Sequence, residues 1–257
     1  MGTAFKRLGA YFLDLIIIYM VASLISSVVL VTANQDQAFL NKFNEYNTFD
    51  LESANFKTLY KDAFSDNKLT IAEYDELIES YDKLTKNYEV KDIELEEAYK
   101  DNKLTKKEYN HTLDIINENY DNISPKLYYE ISKLNVFNAI CSVIITLLYF
   151  VFVPYFMNGQ TFGKKILRFR VLSNNSNKAT INQLLLRSLV ITDVIWGIIR
   201  IYCLYNMDAY GYYNAVFVLN SMIYYVLFIS LLCMMYRQDK RALQDLFANT
   251  KVIEEKK

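Results

Sequence analysis

Apolar residues gather into four stretches, about Leu8 to Thr32, Leu134 to Met157, Gln183 to Tyr205 and Tyr213 to Tyr236. Each approaches the roughly 20 residues that an α-helix needs to cross a bilayer. Between the first two lies a polar segment with hardly an apolar run. The pattern predicts an all-α chain: a four-helix transmembrane bundle with an extracytoplasmic α-helical insert between the first and second spans. Residues 1–33 carry the first transmembrane helix and 34–133 the soluble helical insert. Residues 134–257 carry three transmembrane helices with a cytoplasmic loop and tail. Charges interrupt the first stretch (Asp14) and the third (Arg187, Asp193 and Arg200), whereas the second and fourth have none. Pro154 should kink the second span or mark its exit, because it removes an intrahelical bond and crowds the preceding turn.

The insert repeats itself. Asp66-Asn67-Lys68-Leu69-Thr70 followed by Glu73-Tyr74 recurs as Asp101-Asn102-Lys103-Leu104-Thr105 followed by Glu108-Tyr109, as a duplicated helical hairpin would. In both copies Thr precedes Glu by three residues, the spacing of a capping box, so helices should start after Thr70 and Thr105. A calcium loop is a sharper reading, with Asp62, Asp66 and Glu73 in one copy and Glu97, Asp101 and Glu108 in the other as weak candidate ligands. Against it, the third loop position is Phe64 or Tyr99, neither able to ligate, and Asn stands where the loop turn calls for Gly. The structural hairpin is therefore the favoured reading.

Charge then orients the chain. The connection 158–182 holds Lys164, Lys165, Arg168, Arg170 and Lys178 and no acid, and the tail from Arg237 carries six basic residues against four acidic. With Lys6 and Arg7 ahead of the first span, the positive-inside rule places both termini in the cytoplasm and the insert outside a plasma membrane. The insert holds 22 acidic and 13 basic residues, which is compatible, because long loops translocate largely regardless of charge. A net charge of −1 over 257 residues gives no reason to expect a nucleic-acid partner. A single His (His111) and three Cys within apolar stretches leave little for triad, zinc or disulfide chemistry. No phosphate loop is present either. The chain reads as a non-enzyme without a cofactor.

An uncompensated charge at mid-bilayer costs about 2.5–3.5 kcal/mol, so such groups usually face protein or water. At 1.5 Å per residue, Asp14 and Arg187 lie roughly 9 and 6 Å inside their spans, which predicts that they pair. Asp193 falls near mid-bilayer, with Arg200 seven residues on. A desolvated Asp there could exchange a proton or bind an alkali cation. A buried structural ion pair is the equal alternative.

The ends of the chain resemble the RDD family of multi-pass membrane proteins. Arg7-Leu8-Gly9-Ala10 through Asp14, Gly159-Gln160-Thr161-Phe162-Gly163-Lys164, and Leu243-Gln244-Asp245 through Thr250-Lys251-Val252 carry the likeness. Gln244 stands where His is usual and Asn249 where Gly is usual. The resemblance implies Arg7, Asp14 and Asp245 as the characteristic trio, with Thr161, Gly163, Lys164 and Thr250 as motif companions. It also implies transport, with sodium or potassium/proton antiport in some members. Arg7 and Asp245 both fall at the cytoplasmic interface and are expected to pair.

Two functions follow. One is a transporter of cations or small solutes using intramembrane carboxylates; four spans are few for a monomeric carrier and would favour a homo-oligomer. The other is a non-catalytic membrane assembly or sensor protein whose exterior insert binds a partner protein, calcium or an envelope component.

Overall fold

The computed structural model describes residues 2–33, 36–65, 69–88, 90–91, 93, 105–175, 177–192 and 194–255. They divide into two compact units, one of Met1–Asp36, Asn135–Met207 and Asn214–Lys257, the other of Gln37–Leu134 and Asp208–Tyr213.

The first unit begins with α1 (Gly2–Ala33), continues with α5 (Val136–Phe156) and takes in most of α9 (Ala209–Tyr236). Each of the three contains a segment long and apolar enough to cross a membrane. Their outer faces show why water would not suit them: Tyr19 is 76% exposed, Phe217 72% and Tyr224 73%. Large aromatic side chains left open along three helices form a surface that a bilayer covers.

The predicted third span is not one helix. It is divided into α7 (Ile181–Ile191) and α8 (Val194–Asn206). Thr192 ends α7 in an extended conformation (φ −100°, ψ 167°), and its hydroxyl donates back to the Ser188 carbonyl at 2.6 Å. Such a bond gives the backbone an alternative to the helix ladder. Both halves pack on α5, α8 so closely that a methyl group on Gly197 would meet Val143 Cγ2 at 2.5 Å.

The chain is all-α as expected, with one small two-stranded ladder added to it. Strands β1 (Phe169–Ser173) and β2 (Thr250–Glu254) pair antiparallel with Val171 opposite Val252. Phe169 and Val171 turn inward at 2% and 1% exposure, the alternation of a half-buried strand. Five-residue strands 81 positions apart left no periodic signal that the hydropathy of the chain could show. A short helix precedes each on the same unit, α6 (Phe162–Ile166) before β1 and α10 (Leu243–Phe247) before β2. Gly159, at φ 88°, allows the turn after α5 to lie against β1, where a Cβ would meet the Val171 carbonyl at 2.1 Å.

The second unit comprises α2 (Asp36–Ala63), α3 (Ile71–Asn87) and α4 (Lys106–Leu134) around an aromatic core. Phe49, Phe56, Tyr60, Phe64, Leu77 and Ile116 are buried there, and the Tyr60 and Tyr109 rings stack 5.4 Å apart. Helices do start after Thr70 and Thr105. In each copy a glutamate Oε2 accepts from the cap backbone N–H, Glu73 at 2.9 Å and Glu108 at 2.8 Å, and from the cap hydroxyl at 2.6 Å. Those bonds hold Glu108 below the usual carboxylate range. Asn119 of α4 fastens the segment after α3, accepting from the Lys91 N–H at 2.7 Å and donating to the Lys91 carbonyl at 3.1 Å.

Candidate functional site

Asp14 is 0% exposed on α1, and a buried carboxyl needs the hydrogen-bond donors that surround it. Tyr149 of α5 donates its hydroxyl to Oδ1 at 2.6 Å, the Gly163 N–H donates to the same oxygen at 2.7 Å, and the Thr161 hydroxyl reaches Oδ2 at 2.5 Å. Lys164 Nζ stands 3.8 Å from Oδ2 and donates to Thr161 Oγ1 at 3.2 Å. Thr161 occupies the N-cap position of α6 but makes no side-chain cap bond; its hydroxyl serves Asp14 instead. The Gly-x-Thr-x-Gly-Lys-like turn is thus drawn onto the first helix by one carboxylate. Gly163 lies so close that a Cβ would meet the Ala10 carbonyl at 2.2 Å. Burial, and after it the nearby Arg187 guanidinium, pull the Lys164 ammonium down to about 8.

The expected Asp14–Arg187 pair is not formed. Arg187 Nη1 donates to Asp245 Oδ1 and, at 3.2 Å, to Thr250 Oγ1. Similar depth along two helices left their rotation undetermined, and α7 turns its guanidinium toward α10 and β2. Asp245, also 0% exposed, accepts from Arg7 Nη2 at 2.6 Å and from the Ala242 N–H at 3.0 Å. Arg7 Nη1 donates to the Lys240 carbonyl at 2.6 Å, so the tail clasps the start of α1. Asp14 therefore ties α1 to α5 and the turn that follows it, and Asp245 ties the tail to α1 and α7.

The segment that supplies most of these partners, residues 124–249, matches the family model described as RDD family. Over these residues the chain is similar to the RDD family. Comparison with curated proteins and with solved structures gives no match. The RDD match takes in Thr161, Gly163, Lys164, Arg187 and Asp245, and stops before Thr250. Arg7 and Asp14 lie ahead of it, on the helix that the RDD residues grip. The two departures from the RDD pattern have local explanations. Asn249 sits at φ 49°, a left-handed conformation that Asn tolerates nearly as Gly does. Gln244, 3% exposed, accepts the Ser230 hydroxyl of α9 at 2.7 Å.

Around this RDD network lies a cavity of about 250 Å³. Arg7, Lys164 and Arg187 line it, together with apolar side chains such as Tyr11, Phe150, Leu184, Leu227 and Phe228. Neither Asp14 nor Asp245 is among the lining residues: the carboxylates stand behind the cations and leave the basic groups facing the space. Sequence reasoning centred on the carboxylates missed this, because nothing in a one-dimensional pattern says which partner of a pair is turned to the cavity.

The remaining candidates are placed as follows. Arg200 is half-buried on α8, while Asp193 lies outside the described residues. Of the calcium candidates, Asp66, Glu97 and Asp101 also lie outside them, Asp62 is exposed near the end of α2, and Glu73 and Glu108 are engaged in their capping boxes. Among the described residues no group of three or more His, Cys, Asp or Glu is gathered as for a metal.

Proposed function

We propose that this chain is an RDD family multi-pass plasma-membrane transporter of small solutes, and that its substrate is an anion. The observation that carries this reading is the cavity beside α1, α5, α7 and α9, whose charged lining is Arg7, Lys164 and Arg187. A cavity walled by apolar groups, with converging cations, concentrates the field on a negative ligand and repels a metal cation. The carboxylates then hold the frame, and the basic groups meet the solute.

The same network bears on topology. Arg7 on Asp245, and Lys6 on Glu254 at 3.0 Å, join the start of α1 to the tail after α9. Those ends must share one side of the membrane, which requires an even number of crossings. With three long spans, α7 and α8 together make the fourth as a broken crossing, a form tolerated where backbone is buried in protein. The basic loop and tail support a cytoplasmic shared side and an exterior insert by the positive-inside rule.

In proteoliposomes of the full chain, a labelled phosphate or carboxylate anion, bare or bearing an acyl chain, should cross the membrane faster than in empty vesicles. Sodium, potassium and lithium should leave an imposed proton gradient intact. Cation-driven collapse of that gradient without anion movement would overturn the anion reading. A second reading, an exterior assembly or sensor module, is favoured by the compact aromatic core of the insert; it gains if protein lacking residues 36–131 inserts normally yet loses its cellular role while retaining flux.

A further inference from the structure

We propose that the cavity at Arg7, Lys164 and Arg187 takes an amphiphilic anion, a phosphate or carboxylate headgroup bearing an acyl chain, with the headgroup on the cations and the chain leaving past Leu8 and Phe228 into the bilayer. This deepens the anion reading and rests on it.

Charge is the first support. Among the described residues of the network, three cations face two carboxylates, and both carboxylates are fully buried away from the space. One positive charge is therefore left for a ligand. Arg187 has donors to offer it: the bonds to Asp245 and Thr250 both run through Nη1, and a guanidinium carries five N–H groups in a planar fork suited to phosphate or carboxylate. An anion would also relieve the cost that Lys164 incurs as a buried cation beside another cation.

The walls are the second support. A small, fully hydrated anion has nothing to gain from Tyr11, Phe150, Leu184, Leu227 and Leu231, all of which line the space. Methylene groups do, by about 0.8 kcal/mol each when taken out of water. The size and mouth agree with this. A volume of about 250 Å³ is below the roughly 300–1,000 Å³ of sites that enclose a whole drug-sized molecule, so it holds a headgroup and the first carbons of a chain. Leu8 and Phe228 line the cavity, lie in α1 and α9, and are 44% and 58% exposed. Exposed residues on bilayer-crossing helices meet lipid, so the opening they flank leads to acyl chains.

The test uses purified full-length protein in a neutral detergent, with binding of phosphatidylglycerol, phosphatidylcholine, oleate, inorganic phosphate and acetate measured by native mass spectrometry and by thermal shift. Phosphatidylglycerol should bind at least about tenfold more tightly than phosphatidylcholine, the difference that one or two charge-assisted bonds make. Lys164→Gln should remove most of that preference. Because Lys164 also faces Asp14, a second variant, Leu227→Trp, narrows the apolar wall without touching a charge; it should weaken both phosphatidylglycerol and oleate. Tight oleate binding with weak phosphatidylglycerol binding supports the amphiphile site and assigns it to free fatty acids. Inorganic phosphate or acetate binding as well as either amphiphile overturns the inference while the anion reading stands. If no anion binds better than phosphatidylcholine, both fall. Lipid binding unchanged in both variants likewise overturns the inference, since it then reports the general lipid surface.

Discussion

Asp245→Asn is expected to destabilise the membrane unit by about 3–5 kcal/mol, the range for removing one partner of a buried ion pair. The residue is 0% exposed and serves Arg7 and Arg187 at once, with their side chains only 11% and 10% exposed. Neutralising it leaves two guanidinium groups facing each other without a counter-charge. Thermal unfolding in detergent, followed by fluorescence-detected size exclusion, should show a large fall in midpoint. Adding Arg187→Gln to the same chain should restore part of it, because one of the two orphaned cations is then gone. A single variant that melts with the wild type would mean that water or another acid reaches the guanidinium groups and that the clasp is not needed for folding.

The second large effect is expected at Gly163. An alanine there places Cβ 2.2 Å from the Ala10 carbonyl and 2.9 Å from Asp14 Oδ1, so backbone must move and the N–H bond to Asp14 at 2.7 Å lengthens. Overpacking of this kind costs on the order of 1–3 kcal/mol, and a strained Asp14 adds to it. Gly9, on α1 next to the Ala10 that Gly163 approaches, is the control: its added Cβ would meet only Leu167 Cδ1, at 3.6 Å, an ordinary contact. Gly9→Ala should be neutral or slightly stabilising, as Ala favours a helix by up to about 1 kcal/mol over Gly. Equal melting of the two variants would show that the turn yields freely and that Asp14 does not hold it in place.

These two sites show where one-dimensional reasoning ends. The apolar runs, the capping boxes at Thr70 and Thr105 and the motif around Gly163 are local patterns, and local patterns survive in a sequence. Arg7 and Asp245 could be matched because Arg7 lies near the start of α1 and Asp245 in the tail after α9, away from the middle of the apolar runs, where opposite charges have few other partners. Asp14 and Arg187 were matched by depth alone and met other partners, since depth along a helix says nothing of rotation about it. Asp14 found its donors in a hydroxyl of α5 and in the backbone of a five-residue helix, and a backbone N–H is invisible to any search for opposite charges.

The membrane-spanning character of α1, α5 and α9 was determined by the sequence itself, because a run of some 20 apolar residues has no stable alternative in water. So were the starts of α3 and α4, because a capping box is made within four residues. The break at Thr192, the β1–β2 ladder, the two carboxylate hubs and the cationic face of the cavity were decided only by the tertiary structure. Each depends on which distant segments approach and on how their helices are turned. Burying a charge is costly unless partners are brought to it, and here those partners come from segments far along the chain from each carboxylate.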